Sequence, residues 1–237
     1  MRTPGQGWLE FWNQQRTFSE RFLQANSQLF FERSRALLDL GPHDEVLDLG
    51  AGSGHLCALI APLVQSVCAV DGAPSSLRAA RERLRHLQNV RWVQADITRD
   101  TLPDALSSEG YSVVVCHSVL QYLPSHDAVE RLMDVVSERA SGAARLLFAD
   151  LPGQHALVAD AASQLRHGFG RGFALDVLWA LPVASLSRYA QLRKRAGVLE
   201  FSRERLLALG RRFGNRVRVI EGELTANSSR RHLFVER

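Results

Sequence analysis

The residues with most chemical potential lie in one stretch, Glu45-Val46-Leu47-Asp48-Leu49-Gly50-Ala51-Gly52-Ser53-Gly54-His55-Leu56. Glycine at every second position from Gly50 to Gly54 lets the backbone take φ > 0, and lets a ligand approach main-chain N–H groups that a Cβ would shield. A carboxylate, Asp48, stands two residues before the first of these glycines. Further carboxylates, Asp71, Asp96 and Asp150, each close a short apolar run. In an open α/β sheet such strand tips are where ligands are held. His117 follows another apolar run and carries an imidazole, which titrates near working pH.

The elements that must position these groups follow from the apolar pattern. Val46–Leu49 is a short buried strand that stops in the glycine turn and restarts as a helix over Leu56–Val64. Strands are expected again at 67–71, 90–97, 111–116, 144–151, 216–220 and 231–235. Helices are expected over 75–87, 127–140 and from Ser202 to about Gly210, with a polar connector at 100–110. Residues 8–40 read as helical, and seven of the eighteen aromatic residues precede Glu32, which makes this segment a candidate lid.

Spacing separates two kinds of glycine turn. A dinucleotide fold uses G-x-G-x-x-G, but here the third glycine of that pattern would fall on His55. The run from Asp48 to Gly54 instead resembles the D/E-x-G-x-G-x-G motif of class I S-adenosylmethionine-dependent methyltransferases. A cationic amino-acid sulfonium has no phosphate to bind, and a carboxylate near its amino group suits it.

The resemblance implies an α/β, Rossmann-like, doubly wound seven-stranded sheet, mostly parallel with a C-terminal antiparallel strand, plus an N-terminal helical lid. It implies S-adenosyl-L-methionine as cofactor, held by Asp48, Gly50, Ala51, Gly52 and Gly54. Asp71, followed by Gly72, would take the ribose hydroxyls; Asp96 and Ile97 would take the adenine. His117 would touch the cofactor and, with Tyr122, stand at the reaction. Trp8, Trp12, Tyr122 and Asp150 are the matching expectations for the acceptor. Leu120-Gln121-Tyr122-Leu123 resembles the small-molecule branch of the family. Neither an Asn/Asp-Pro-Pro-Tyr/Phe motif nor a Pro-Cys nucleophile occurs.

At 237 residues the chain has room for one α/β domain with an insertion. The expected organisation is a helical cap over 1–40 and a methyltransferase domain over 41–237, with an insertion at 153–215. The composition, 46% hydrophobic and 23% charged, is that of a globular protein. No apolar run of about 18 residues and no signal-peptide core occur, so no membrane is expected and the cytoplasm is the expected location. Cys57, Cys68 and Cys116 are widely spaced among apolar neighbours, which fits buried thiols and no metal.

Charge is distributed unevenly: from Leu151 onward 15 basic residues face 7 acidic ones, against 14 and 18 before it. Clusters such as Arg193-Lys194-Arg195, Arg211-Arg212 and Arg230-Arg231 would suit an anionic partner. No aromatic residues interleave with them as nucleic-acid stacking requires, so solvated helix faces and strand ends are the preferred reading.

The expectation is therefore transfer of a methyl group to oxygen or nitrogen of a small-molecule acceptor, a specialised metabolite or a sugar intermediate. An RNA or protein methyltransferase using the basic C-terminal face, and a non-catalytic cofactor-binding module serving a partner protein, are the alternatives. In-line methyl transfer needs positioning first and a base second. For a hydroxyl acceptor His117 is the candidate base, whereas His55, His126, His155 and His167 read as surface or turn residues. Acceptor choice lies in 1–40 and 153–215, and a monomer and a homodimer are both compatible with the sequence.

Overall fold

The computed structural model describes residues 4–14, 19–97, 106, 110–153 and 188–237. The connector at 100–105, most of the expected insertion (154–187), and with it His155 and His167, lie outside the described residues. Seven strands form one sheet: β1 (Glu45–Leu49), β2 (Ser66–Asp71), β3 (Val90–Gln94), β4 (Tyr111–His117), β5 (Ala140–Pro152), β6 (Arg216–Glu221) and β7 (Arg230–Glu236). Their order is β3-β2-β1-β4-β5-β7-β6. β1 to β5 run parallel, and β7 enters antiparallel between β5 and β6. This is the doubly wound sheet expected from the sequence. Its order reverses between β1 and β4, and the crevice at such a reversal is where open α/β sheets bind ligands.

Helices cover both faces, which is why the central strands are apolar on both sides. On one face Val46, Ala69, Val113, Val115 and Leu147 pack under α2 (Glu20–Leu38) and α3 (His55–Ile60). On the other, Leu47, Val70, Val114, Cys116 and Phe148 pack under α5 (His126–Arg139) and α7 (Arg203–Gly210). α1 (Pro4–Gln14), α4 (Pro74–Arg83) and α6 (Arg188–Ala196) complete the described helices. Helix starts follow capping chemistry: Ser19, Ser125 and Ser202 each accept from a backbone N–H in the first turn. At the far end of α2, Arg145 donates to Asp44 Oδ1 at 2.6 Å and to the Leu38 carbonyl at 2.6 Å, tying the helix terminus to β5. Burial alone would raise the Asp44 pKa, but hydrogen bonds from Ser112, Gly41 and Arg145 outweigh it and hold the carboxyl below its ordinary value.

Several boundaries differ from the sequence reading. β3 ends at Gln94, not Ile97, because its partner β2 ends at Asp71, which pairs with Gln94. Ala95-Asp96-Ile97 therefore lies beyond the strand. The first helix after the glycine turn stops at Ile60 and continues as a 3₁₀ turn through Pro62, which has no amide hydrogen to sustain it. β5 begins at Ala140, with a register slip where Ala140 faces Tyr111 and Arg145 faces Val113. The N-terminal segment is two helices, α1 and α2. Cys57, Cys68 and Cys116 are buried thiols. Among the described residues no helix is long and apolar enough to cross a membrane.

Candidate active site

The glycine turn leaves β1 with φ of 77° at Gly50, 55° at Gly52 and 79° at Gly54. Packing as well as φ requires the first of them: a Cβ at Gly50 would lie 2.2 Å from Val119 Cγ2. Gly52 has nothing within 4 Å of such a Cβ, so its bare backbone borders open space. The turn is bonded to the next strand. Gly50 and Ala51 donate to the Val70 carbonyl at 2.7 and 3.0 Å, and Gly52 donates to Asp71 Oδ2 at 2.8 Å. The other Asp71 oxygen accepts from Ala73 at 2.7 Å. Each carboxylate oxygen retains a lone pair. Burial raises the Asp71 pKa, against the pull of the Ala73 and Gly52 amides.

Asp48 differs from the expectation of a direct ligand contact. It is 2% exposed and accepts from the Cys57 thiol at 3.1 Å. Burial pushes its pKa up to about 6; the Cys57 hydrogen bond opposes the shift and the Asp71 charge adds to it. Asp96 is half-buried and its Cα would lie 3.5 Å from a Cβ at Gly72, so the chain just beyond β3 lies against the chain just beyond β2. Ile97 packs on the core of the α5 face.

α1 covers this edge. Leu9 Cδ1 would lie 2.8 Å from a Cβ at Gly72, the Asn13 side chain accepts from Ser75 N at 3.1 Å, and Ser75 Oγ donates to the Asn13 carbonyl at 2.6 Å. Trp8 is 2% exposed and donates from Nε1 to the Gly197 carbonyl at 3.1 Å. Its ring lies 4.5 Å from Tyr122 and 5.3 Å from Tyr189, and Trp12 lies 5.6 Å from Tyr122. The structure thus brings Trp8, Trp12 and Tyr122 into one aromatic wall, completed by Tyr189, whose hydroxyl is 3.4 Å from that of Tyr122. Burial raises the Tyr122 pKa well above its ordinary value.

His117 ends β4 with its ring stacked on Phe30 of α2, centroids 4.1 Å apart and planes 5° from parallel. Burial lowers its pKa; Asp150 opposes that shift and Arg230 reinforces it. At physiological pH the imidazole is neutral, the state a proton acceptor requires. Asp150 sits in a cluster of its own. It accepts from Ser118 Oγ, from Thr225 Oγ1 at 3.4 Å, and pairs with Arg230 Nε at 3.7 Å. Its backbone N–H donates to His232 Nδ1 at 3.1 Å. Burial would raise the Asp150 pKa, but Arg230, His117, Ser118 and His232 together hold it low and the carboxylate stays ionised.

Ser118, Gln121, Tyr189, Thr225, Asn227, Arg230 and His232 did not come out of the sequence as site residues. Arg230 read as part of a solvated basic cluster, yet it is 8% exposed, because β7 carries it into the sheet beside Asp150. Ser118 and Asp150 have φ of 61° and 65°, a left-handed backbone that costs a non-glycine residue about 1 kcal/mol or more and tends to persist at functional sites. No residue type announces it. The rest of the basic surface is partly neutralised within the chain: Arg212 pairs with Glu130 and Asp134 at 2.6 and 3.3 Å.

Residues 46–139 match the methyltransferase domain family. A 23S rRNA (uracil(1939)-C(5))-methyltransferase, RlmD of Xanthomonas campestris, is 32% identical over 115 residues, 44% of this chain and 26% of that protein. The chain thus spans about a quarter of the length of the curated relatives it matches. Among solved structures, the DhpI complex with S-adenosylhomocysteine superposes with a TM-score of 0.61 at 18% identity, covering 99% of this chain and 97% of that one. The N-methyltransferase NodS of Bradyrhizobium japonicum, also with S-adenosylhomocysteine, gives 0.59 at 14% identity and covers 100% and 99%. A Leishmania major S-adenosylmethionine-dependent methyltransferase gives 0.65 at 15%, covering 99% and 82%. The bare backbone at Gly52 and the twice-bonded Asp71 beside it fit the adenosyl cofactor of these proteins. The glycine turn and the strands around it accordingly match a methyltransferase domain, in a chain with the fold of the S-adenosylmethionine-dependent methyltransferases.

Proposed function

We propose that the chain transfers a methyl group from S-adenosylmethionine to an oxygen or nitrogen of a small-molecule acceptor. The observation that carries this reading is the roof: α1 lies across the Gly72 edge and closes the aromatic wall of Trp8, Trp12, Tyr122 and Tyr189 beside the glycine turn. An edge roofed by a helix in this way suits a compact molecule better than a polymer. The cofactor supplies a methyl group already activated on a sulfonium. This chain's residues then have three tasks. Gly50, Ala51 and Gly52 present backbone, with Asp48 beneath it as a buried negative charge, and Asp71, Gly72, Asp96 and Ile97 hold the nucleoside. The aromatic wall excludes water and aligns the acceptor, the main requirement for an in-line displacement. His117, neutral at rest, takes the proton when the nucleophile is a hydroxyl, and the Asp150 carboxylate nearby favours the imidazolium that results.

The match to a 23S rRNA methyltransferase favours RNA as the second reading. Calorimetric titration with S-adenosylhomocysteine tests the cofactor site, and no heat of binding rejects both readings. Incubation with isotopically labelled cofactor and a metabolite extract, read by mass spectrometry, tests the acceptor. A labelled small molecule supports the first reading; label confined to RNA, with salt-sensitive retention of the protein on it, replaces it with the second.

A further inference from the structure

The two halves of the glycine turn are held by different parts of the chain. The first half is tied to β2, through Gly50 and Ala51 on the Val70 carbonyl and Gly52 on Asp71 Oδ2. The second half closes on itself, Gly54 N–H donating to the Ala51 carbonyl at 3.0 Å, and meets α4, where Ala80 would lie 3.0 Å from a Cβ at Gly54. One helical turn beyond Ala80, Arg83 reaches back and donates from Nη1 to the Ser53 carbonyl. Its Nη2 pairs with Glu20 Oε2 at the start of α2, and the same carboxylate oxygen lies 3.1 Å from His55 Nε2.

A backbone with φ > 0 at three glycines in five residues has little steric preference for one conformation. Its shape therefore depends on what its peptide groups are bonded to. Among the described residues Ser53 N–H is the one amide from Gly50 to Gly54 without a partner, so it is the one left to meet a ligand. Arg83 fixes the carbonyl of that same residue with a charge-assisted bond. A site that holds its competent arrangement for only a fraction of the time binds more weakly by that fraction. The pair is not part of the core: the Glu20 and Arg83 side chains are 62% and 32% exposed and flank a groove of about 250 Å³ between α2, α3 and α4. Exposed pairs of this kind add little to the stability of a whole fold.

Resting on the methyltransferase reading, we propose that Arg83 is a positioning residue for the cofactor turn. It holds Ser53 in the arrangement that receives S-adenosylmethionine, and Glu20 holds Arg83. The helix that starts at Glu20 also carries Phe30, stacked on His117, so one helix sets both the donor turn and the candidate base.

The test compares Arg83→Leu, Arg83→Lys and Glu20→Gln with wild type, in the full chain, by calorimetric titration with S-adenosylhomocysteine, urea unfolding and amide hydrogen exchange. Arg83→Leu is expected to weaken affinity about tenfold, which is about 1.4 kcal/mol, and Glu20→Gln about threefold. Arg83→Lys keeps a charged donor on a flexible stem and is expected to recover part of the loss. Urea midpoints are expected to stay near that of wild type, while Gly54 N–H exchanges faster in Arg83→Leu and the amides of β1 keep their protection. Affinity within about twofold of wild type in Arg83→Leu overturns the proposal. So does a loss of affinity that lysine does not lessen and a lowered urea midpoint accompanies, because Arg83 then only supports α4. Should Arg83→Leu not fold, wild-type affinity in Glu20→Gln overturns it. If the wild type gives no heat of binding, the methyltransferase reading fails and this proposal with it; wild-type binding beside an unchanged Arg83→Leu removes the proposal alone.

Discussion

The Gly52 amide donates to Asp71 Oδ2 at 2.8 Å, so the glycine turn after β1 and the carboxylate that ends β2 form one hydrogen-bonded unit. Asp71 is a structural acceptor as well as a candidate for the ribose. Asp71→Ala leaves the Gly52 and Ala73 amides without that acceptor, at about 1–3 kcal/mol for each donor that stays buried. The variant is expected to lose both affinity for S-adenosylhomocysteine in calorimetry and stability in urea. Unchanged stability would mean that the two amides find other partners.

Gly50 and Gly52 separate packing from ligand access. At Gly50 a methyl group would overlap Val119, so Gly50→Ala is expected to unfold at markedly lower denaturant concentration and to lose the cofactor. At Gly52 the methyl meets only open space and the left-handed backbone costs about 1–2 kcal/mol. Gly52→Ala should therefore stay folded while its affinity for S-adenosylhomocysteine falls about tenfold or more. Comparing denaturation and calorimetry on the two variants checks the contrast.

Asp48 gives the protein a pH signature. Its folded pKa, about 6, lies above the ordinary value of 3.8, so below about pH 6 the native state binds a proton that the unfolded chain still releases. Stability linked to Asp48 therefore rises as pH falls through that window. Above it, the ionised buried carboxylate costs up to about 3 kcal/mol. Asp48→Asn is expected to be more stable than wild type at neutral pH by up to that amount, with the difference vanishing near pH 4. Urea titrations across this range read the sign directly, and a variant less stable at every pH would contradict it.

The roof should come off separately from the sheet. Trp8 anchors α1 through its ring contacts and its bond to Gly197, and Trp→Ala at a buried site costs about 3–5 kcal/mol, more than one short helix can spare. Trp8→Ala is expected to make α1 sensitive to chymotrypsin while the strands stay protected. S-adenosylhomocysteine should protect α1 in the wild type, since Leu9 sits against Gly72.

The part of this fold most legible in the sequence was the part with local signals. Val46–Leu49, Val67–Asp71 and Tyr111–Cys116 are apolar because both sheet faces are covered, and Gly50, Gly52 and Gly54 mark the turn because only glycine takes its backbone without cost. The boundaries missed depend on neighbours: β3 stops where β2 stops. The acceptor side was legible only in its aromatic residues. Arg230 and His232 reach Asp150 from more than a hundred residues beyond His117, through an antiparallel insertion that no local pattern encodes. Asp48 shows the converse, a motif residue correctly located but buried against Cys57.

The placement of β7 bears on how the chain is made. It is the last of the seven strands in sequence, yet its seat is between β5 and β6. While the ribosome is still working, the Leu146–Phe148 edge of β5 has no pairing partner and β6 has none at all, and bare apolar edges are what chaperones shield and what aggregates recruit. A premature stop ahead of Arg230 would therefore leave a divided sheet rather than a trimmed one, five strands and a stray ribbon.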